Sequence, residues 1–501
     1  MSITGPGSIT AANLAAQANM FNQLNTLSQQ LGTGDASQTY SGLGSQADVA
    51  VSLGAQLSAI GGYSTTGTTV GTTLTLAQSV LTQLNTAGGS VLQSINQEPA
   101  FSLNGNGQTA TQQSAAGYLD QILSLLNTQV GNNYMFSGSA LTQQSVASAS
   151  DILNGNGSQA GFTQVISERL QADEGVGNLG RLTIGGAAPN VTLSSDTSPF
   201  GFKLATVNSN LTGATVTGSP PSISVNLGSN PNPGDTISFG LTLPDGSSQT
   251  ITLQATTASP PAANQFTIGG TANATATNLQ GALTTAVSNL AQTALPAASA
   301  IAAANNFFSS DPPQRVNGGG PPANFATATS LQNGTTANTV FWYTGENGAT
   351  PARQTATAQV GPTMTIDYGM RANEQAISTL VGNVAVLAAT TYSASNPNAQ
   401  ASYQDLTQSV TTNLDGPPGT QTVPDIEADL VNAQTEVANA TTLNTQTQNT
   451  LQNMLQGIEG VNQNQIGENI LTLQTDLSAS MSVTARLAQI SLVNFLSPSA
   501  G

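Results

Sequence analysis

Val70, Leu74, Ala77, Leu81, Leu84, Gly88, Val91 and Ile95 alternate steps of four and three without a slip. A stripe with that spacing is the seam of a coiled coil, and it commits this stretch to a long helix. The many threonines around it lower intrinsic helicity. The helix therefore needs a partner to bury its stripe. Met20, Leu24, Leu27 and Leu31 repeat the spacing in a helix predicted over about 13–31, which Gly32-Thr33-Gly34 should terminate. Ala115, Leu119, Ile122 and Leu126 do so in a third helix, about 109–131.

The C-terminal third answers with seams of its own. Ile377, Leu380, Val384 and Leu387 mark one helix. A longer one should open near Pro424, a residue suited to a first helical turn. Its stripe runs through Ile426, Leu430, Ala433, Val437 and Ala440, then Leu451, Met454, Ile458 and Val461. Ile466, Ile470, Leu473 and Leu477 resume it after a local slip, and the tail adds Leu487, Leu492 and Leu496. Gly457, Gly460 and Gly467 predict one break or bend on the way.

Between the two helical zones the period changes to two. Residues 235–243 alternate, Pro244-Asp245-Gly246 is a turn signal, and 249–253 alternate again: a β-hairpin. Phe266-Thr267-Ile268 reads as a further strand, and a short helix follows over about 274–290. The expected fold is α+β. Long terminal helices form a coiled-coil-like core over 1–145 and 362–501. A β-rich outer insert fills 146–361, with a small module over about 178–292.

Charge narrows the function. Only 6% of residues are charged, against roughly 25% in an ordinary domain. Thr, Ser, Asn, Gln and Gly stand in for the missing ions, a composition suited to wet contacts between copies. Seven Lys and Arg against 24 Asp and Glu give −17. So acidic a chain is unsuited to nucleic acid or an anionic membrane surface. With no Cys and no His, Ser-His-Asp and Cys-His catalysis and thiolate metal sites are excluded. No catalytic, metal or cofactor-binding residue is assigned, and the chain is expected not to be an enzyme. No apolar run reaches the ~20 residues of a membrane span. The first seven residues carry neither a basic segment nor an apolar one, so export without a cleaved signal peptide is expected.

Carboxylates alone remain for chemistry. Asp425 and Asp429 share one helix face but suit the positive end of a helix better than a cation. Asp173 with Glu174, and Asp367 with Glu374, are the other candidate pairs. Gly318-Gly319-Gly320 lacks the lysine of a phosphate loop. Trp342, in Phe341-Trp342-Tyr343, reads as part of an aromatic strand in the insert's core.

Several segments resemble the flagellin family, and within it the hook-filament junction proteins. Leu27 to Gly34 resembles the family's helix-ending Leu-x-(Ser/Thr)-Gly turn, although Asp35 stands where a basic residue is usual. Tyr40-Ser41-Gly42-Leu43-Gly44 is similar to a junction-protein variant of the next loop. Tyr134-Met135-Phe136-Ser137-Gly138-Ser139 resembles their Tyr-x-Phe-Ser-Gly-Ser motif. Ile366 to Glu374 resembles the return into their C-terminal helices, and Ala485 to Leu496 their tail. The resemblance covers about half the chain. It implies an extracellular structural subunit of the bacterial flagellum, exported through the flagellum's own channel with the help of a chaperone. Its partners would be copies of itself and other axial proteins, namely hook-associated proteins and flagellin. A filament flagellin, a secreted adhesin or surface-layer protein, and a carboxylate-only hydrolase stay open as alternatives.

Overall fold

The computed structural model describes the backbone of residues 6–98 and 100–496, and side chains over 11–98 and 100–489. In chain order the helices are α1 (Pro6–Thr33), α2 (Ala47–Asn96), α3 (Ala110–Leu126), α4 (Ala149–Asn154), α5 (Phe162–Glu174) and α6 (Ala272–Gln292). Then come α7 (Ala294–Phe308), α8 (Gln375–Ala389), α9 (Ala399–Leu414), α10 (Val423–Glu459) and α11 (Gln463–Leu496). Long helices at both ends and a β-rich region between them make the fold α+β, as the patterning predicts.

Two compact units divide the chain. The first takes the chain up to Thr69, Gln359–Thr365 and the chain from Glu436 onward; the second takes Val70–Ala358 and Ile366–Thr435.

In the first unit α1 runs antiparallel to α11. Gln17 Nε2 donates to Thr484 Oγ1 at 3.0 Å and to Ser480 Oγ at 3.3 Å. At the other end of the pair Asp35 bridges Gly460, and the Val461 N–H donates to the Gly34 carbonyl at 3.0 Å. The break expected among the tail glycines therefore falls at 460–462. Gly34 makes the turn out of α1 with φ +79°, a conformation that suits glycine. Leu53, Ile60 and Leu451 form a small core, with Leu57, Leu455 and Ile458 packed against it. Met454, expected on that seam, is 52% exposed. Asn444 occupies a seam position instead, 4% exposed, its amide donating to the Val360 carbonyl at 2.8 Å. Counting on from Asn444, residues 451, 455 and 458 hold the register and Met454 falls outside it.

In the second unit the predicted stripe of α2 is buried. Val70, Leu74, Ala77, Leu81, Leu84 and Val91 are each at most 3% exposed, and Ile95 is half-buried. At Gly88 α8 lies close: a Cβ there would be 3.1 Å from Leu380 Cδ1. The start of α10 runs antiparallel beside α2, with Gln78 on Gln434 and Thr82 on Glu427. Threonine hydroxyls along this stretch bond to the preceding turn, Thr82 to the Gln78 carbonyl and Thr86 to that of Thr82. A capping box starts α3 at Thr109 and Gln112. Its Ala115, Leu119, Ile122 and Leu126 are buried, as are Ile377, Leu380, Val384 and Leu387 of α8.

Two short strands, β1 (Gln129–Val130) and β2 (Asn133–Tyr134), pair at the exit of α3. The strands β3 (Leu182–Gly185), β4 (Asn190–Ser195), β5 (Lys203–Ser209), β6 (Ala214–Ser219) and β7 (Ser222–Leu227) follow. Next are β8 (Thr236–Thr242), β9 (Ser248–Thr256) and β10 (Gln265–Thr267). One sheet is ordered β3-β4-β7-β6 and the other β10-β9-β8-β5. The expected hairpin is β8–β9, turned by Gly246 at φ +88°, and the expected strand is β10, parallel to β9. Inward residues of both sheets, among them Val225, Phe239 and Leu253, share one core with Leu279, Leu283 and Val287 of α6.

Several elements went unread in the sequence: β1 to β7, α4, α5, α7 and α9. Among these, α7 packs against α5, α8 and α9. The Phe341–Tyr343 segment is not a strand. It makes one isolated bridge, Val146 to Tyr343, and Trp342 is buried against Phe308 with its Nε1–H donating to the Phe308 carbonyl at 3.0 Å.

Candidate assembly site

Tyr134–Ser139 and Ile366–Glu374 lie more than 200 residues apart and meet in the second unit. Ser137 forms an antiparallel bridge with Arg371. The Gly138 N–H donates to the Met370 carbonyl at 3.0 Å, and the Ala372 N–H to the Phe136 carbonyl at 2.9 Å. Phe136 and Ser137 are fully buried; Tyr134 is half-buried and its carbonyl accepts the Ser137 hydroxyl at 3.0 Å. Gly138 sits at φ +65°, and a Cβ there would meet Glu346 Oε2 at 3.0 Å. The motif is thus a clasp between the exit from α3 and the approach to α8. Ion pairs hold it from one side: Arg371 Nη2 to Glu346 at 2.6 Å and Arg353 Nη2 to Glu374 at 2.7 Å. Burial pushes the Glu374 carboxyl up, against the pull of Arg353.

The first unit presents the other candidate surface. Met20, Leu24 and Leu27 of α1, with Leu473 and Leu487 of α11, are half-buried, and Leu477 is 6% exposed. Leu31 is 39% exposed, so the seam loosens toward the end of α1. Leu492 and Leu496 lie outside the residues whose side chains are described. The outward faces of the pair carry single large apolar side chains among their polar residues: Leu14 is 61% exposed, Phe21 47%, Leu471 65% and Val483 52%.

Charge is rationed. Arg169, Arg181, Lys203, Arg315, Arg353 and Arg371 each have an ion-pair partner. Arg169 is 5% exposed and joins Asp173 Oδ2 at 2.8 Å and Asn306 Oδ1 at 2.9 Å. The seventh cation, Arg486, is exposed. The roles of Arg353 and Arg371 escaped the sequence reading. A usable signal was there: in a chain with seven cations, each arginine is a candidate for a fixed internal partner.

The candidate carboxylate pairs have structural engagements. Asp425 accepts from the Thr422 N–H and hydroxyl at 2.8 and 2.7 Å, ordering the start of α10. Asp173 accepts from Arg169 and from the Gly201 N–H. Glu374 is held by Arg353, while Asp367 is exposed. Among the described residues no group of three or more acidic side chains could hold a metal ion. A cleft of about 650 Å³ opens between α2, the β8–β9 turn, α8 and α9. Its walls carry amides and hydroxyls, such as Asn383, Gln408 and Thr412, with Asp245 and Asp405 and neither a cation nor an aromatic ring. No family model matches the chain, and no curated protein matches it.

Proposed function

We propose that the chain is an extracellular structural subunit of the bacterial flagellum, joining hook and filament as a hook-associated protein. The observation that carries this reading is the α1–α11 pair. Two helices from opposite ends of the sequence share a seam, yet keep Leu14, Phe21, Leu471 and Val483 on their outward faces. A helical pair with apolar side chains on both sides gains stability by packing against further copies, and assembly supplies that by mass action. The clasp between Tyr134–Ser139 and Ile366–Glu374 supports the choice of family, because the two resembling segments are structural partners. The partners are copies of the chain and neighbouring axial proteins, a hook-associated protein on one side and flagellin on the other. An export chaperone would keep the apolar helices apart before assembly.

Deleting residues 478–501 tests the reading. The truncated chain should fail to incorporate into flagella while the buried Trp342 keeps its native fluorescence. Normal incorporation would remove the basis of the assembly role.

A further inference from the structure

An asparagine followed by glycine is open to attack by its own backbone, because the next residue has no side chain to shield its nitrogen. Seven such pairs occur, at Asn104, Asn106, Asn154, Asn156, Asn317, Asn333 and Asn347. All seven asparagines are exposed, so exposure does not rank them. Hydrogen bonds do. Gly107, Gly155 and Gly334 give their N–H to the carbonyls of Asn104, Asp151 and Pro313 at 3.1, 2.9 and 2.7 Å, which occupies the attacking nitrogen. The side-chain oxygens of Asn104 and Asn317 accept from the N–H groups of Asn106 and Gly319, which fixes those side chains in turns. Asn156 is held in a tight turn by two backbone bonds with Gln159, at 3.1 and 3.0 Å.

Asn347 differs in two ways. Among the described residues the Gly348 N–H has no acceptor. Two carboxylates also flank the pair. Glu346 Oε1 fills the space that a side chain on Gly348 would need, while its Oε2 is engaged by Arg371 at 2.6 Å. Asp311 Oδ1 accepts from Asn347 Nδ2 at 3.1 Å and so holds the nitrogen that would leave. Of the seven glycines in these pairs, Gly348 is the one with a carboxylate among its nearest neighbours.

We propose that Asn347 is a site of self-catalysed deamidation, with Glu346 as the general base. The Gly348 nitrogen attacks Cγ of Asn347 and gives its proton to Glu346. Nδ2 takes that proton back as its bond to Cγ breaks, and it departs as ammonia. Water then opens the cyclic imide at either carbonyl, leaving aspartate or isoaspartate. One water enters and one ammonia leaves, with no oxidant or reductant. The site lies on the clasp. The Glu346 N–H donates to the Ser137 carbonyl at 2.9 Å, and the Gly348 carbonyl accepts from Arg371 Nη1 at 2.8 Å. Isoaspartate routes the main chain through its own side chain and adds a methylene between these two anchors, so conversion loosens the clasp. None of this depends on the flagellar reading.

The full-length protein is incubated at mildly alkaline pH and sampled over time. Peptide mapping by mass spectrometry follows the amide-to-acid mass gain at each asparagine, and isoaspartyl methyltransferase labels isoaspartate. Asn347 should convert several-fold faster than any of the other asparagines that precede glycine. Glu346→Gln should slow Asn347 several-fold while the other sites keep their rates, and Glu346→Asp should recover part of the loss. Asp311→Asn, a change at an exposed side chain, should also slow Asn347, with Trp342 emission unaltered. Converted protein should melt at a lower urea midpoint, whereas Asn347→Gln taken through the same incubation should keep its midpoint. Faster conversion at another asparagine, or a rate at Asn347 indifferent to both carboxylate substitutions, would overturn the site. Conversion with an unchanged midpoint would overturn its link to the clasp.

Discussion

Ser137 and Arg371 face one another across an antiparallel bridge although 234 positions separate them in the sequence. The next residue on each side tightens the clasp. The Gly138 N–H reaches the Met370 carbonyl and the Ala372 N–H reaches that of Phe136, so both backbone groups of a buried crossing are satisfied. The clasp sits beside the packing of α3 on α8, which meet after the chain has gone out through both sheets and returned.

Gly138→Ala should loosen this clasp. The left-handed backbone at φ +65° costs a non-glycine residue about 1–2 kcal/mol, and Glu346 would have to move as well. Urea melts should show a lowered midpoint with the slope unchanged. A midpoint equal to wild type would mean that the segment relaxes freely.

Leu81→Ala should cost roughly 2–5 kcal/mol, because the side chain is fully buried in the α2 seam. Leu76→Ala is the control. That side chain is 36% exposed one step off the stripe, and its loss should stay within about 0.5 kcal/mol. Equal effects in the two variants would mean that α2 does not present the 70–95 stripe to the core.

The α2 stripe was legible because its period is strict and its partners lie on one side. By contrast α7 was not, although its sequence is rich in Ala, Leu, Ile and Phe. Buried residues surround it on nearly every side, so no polar face marks a period. Met454 was misread because Asn444, a polar residue in the seam, hid the register. The clasp residues were visible as motifs, but their pairing was not. Nothing local in Ser137 or Arg371 tells of a contact made across two sheets. The ion pairs were equally invisible one by one, since each arginine finds its partner through the tertiary fold.

Acid should weaken the second unit through Asp196. Partial burial pushes its carboxyl up, but hydrogen bonds from Lys203, Arg181 and Ser198 together outweigh burial and hold it below the ordinary aspartate value of 3.8. Its contribution is therefore present above that value and is lost as pH falls through the lower, folded one. The side chain is 38% exposed, so the contribution stays below roughly 1 kcal/mol. Asp196→Asn should flatten the stability profile between pH 5 and pH 2 (roughly the window on either side of the ordinary value). An unchanged profile would assign the acid sensitivity to other carboxylates.

Trp342 reports on the same unit, being the sole tryptophan and 2% exposed. Its emission should be blue-shifted, resistant to acrylamide and red-shifted on unfolding. Trp342→Phe keeps most of the packing but strands the Phe308 carbonyl, at a cost of about 1–3 kcal/mol. Ready quenching in the native state would place the ring in solvent.

Immunogold electron microscopy of isolated flagella tests the proposed place of the chain most directly. Label confined to a single spot between hook and filament is the predicted result. Label along the whole filament would make the chain a filament subunit instead, and absence from flagella altogether would contradict the flagellar reading.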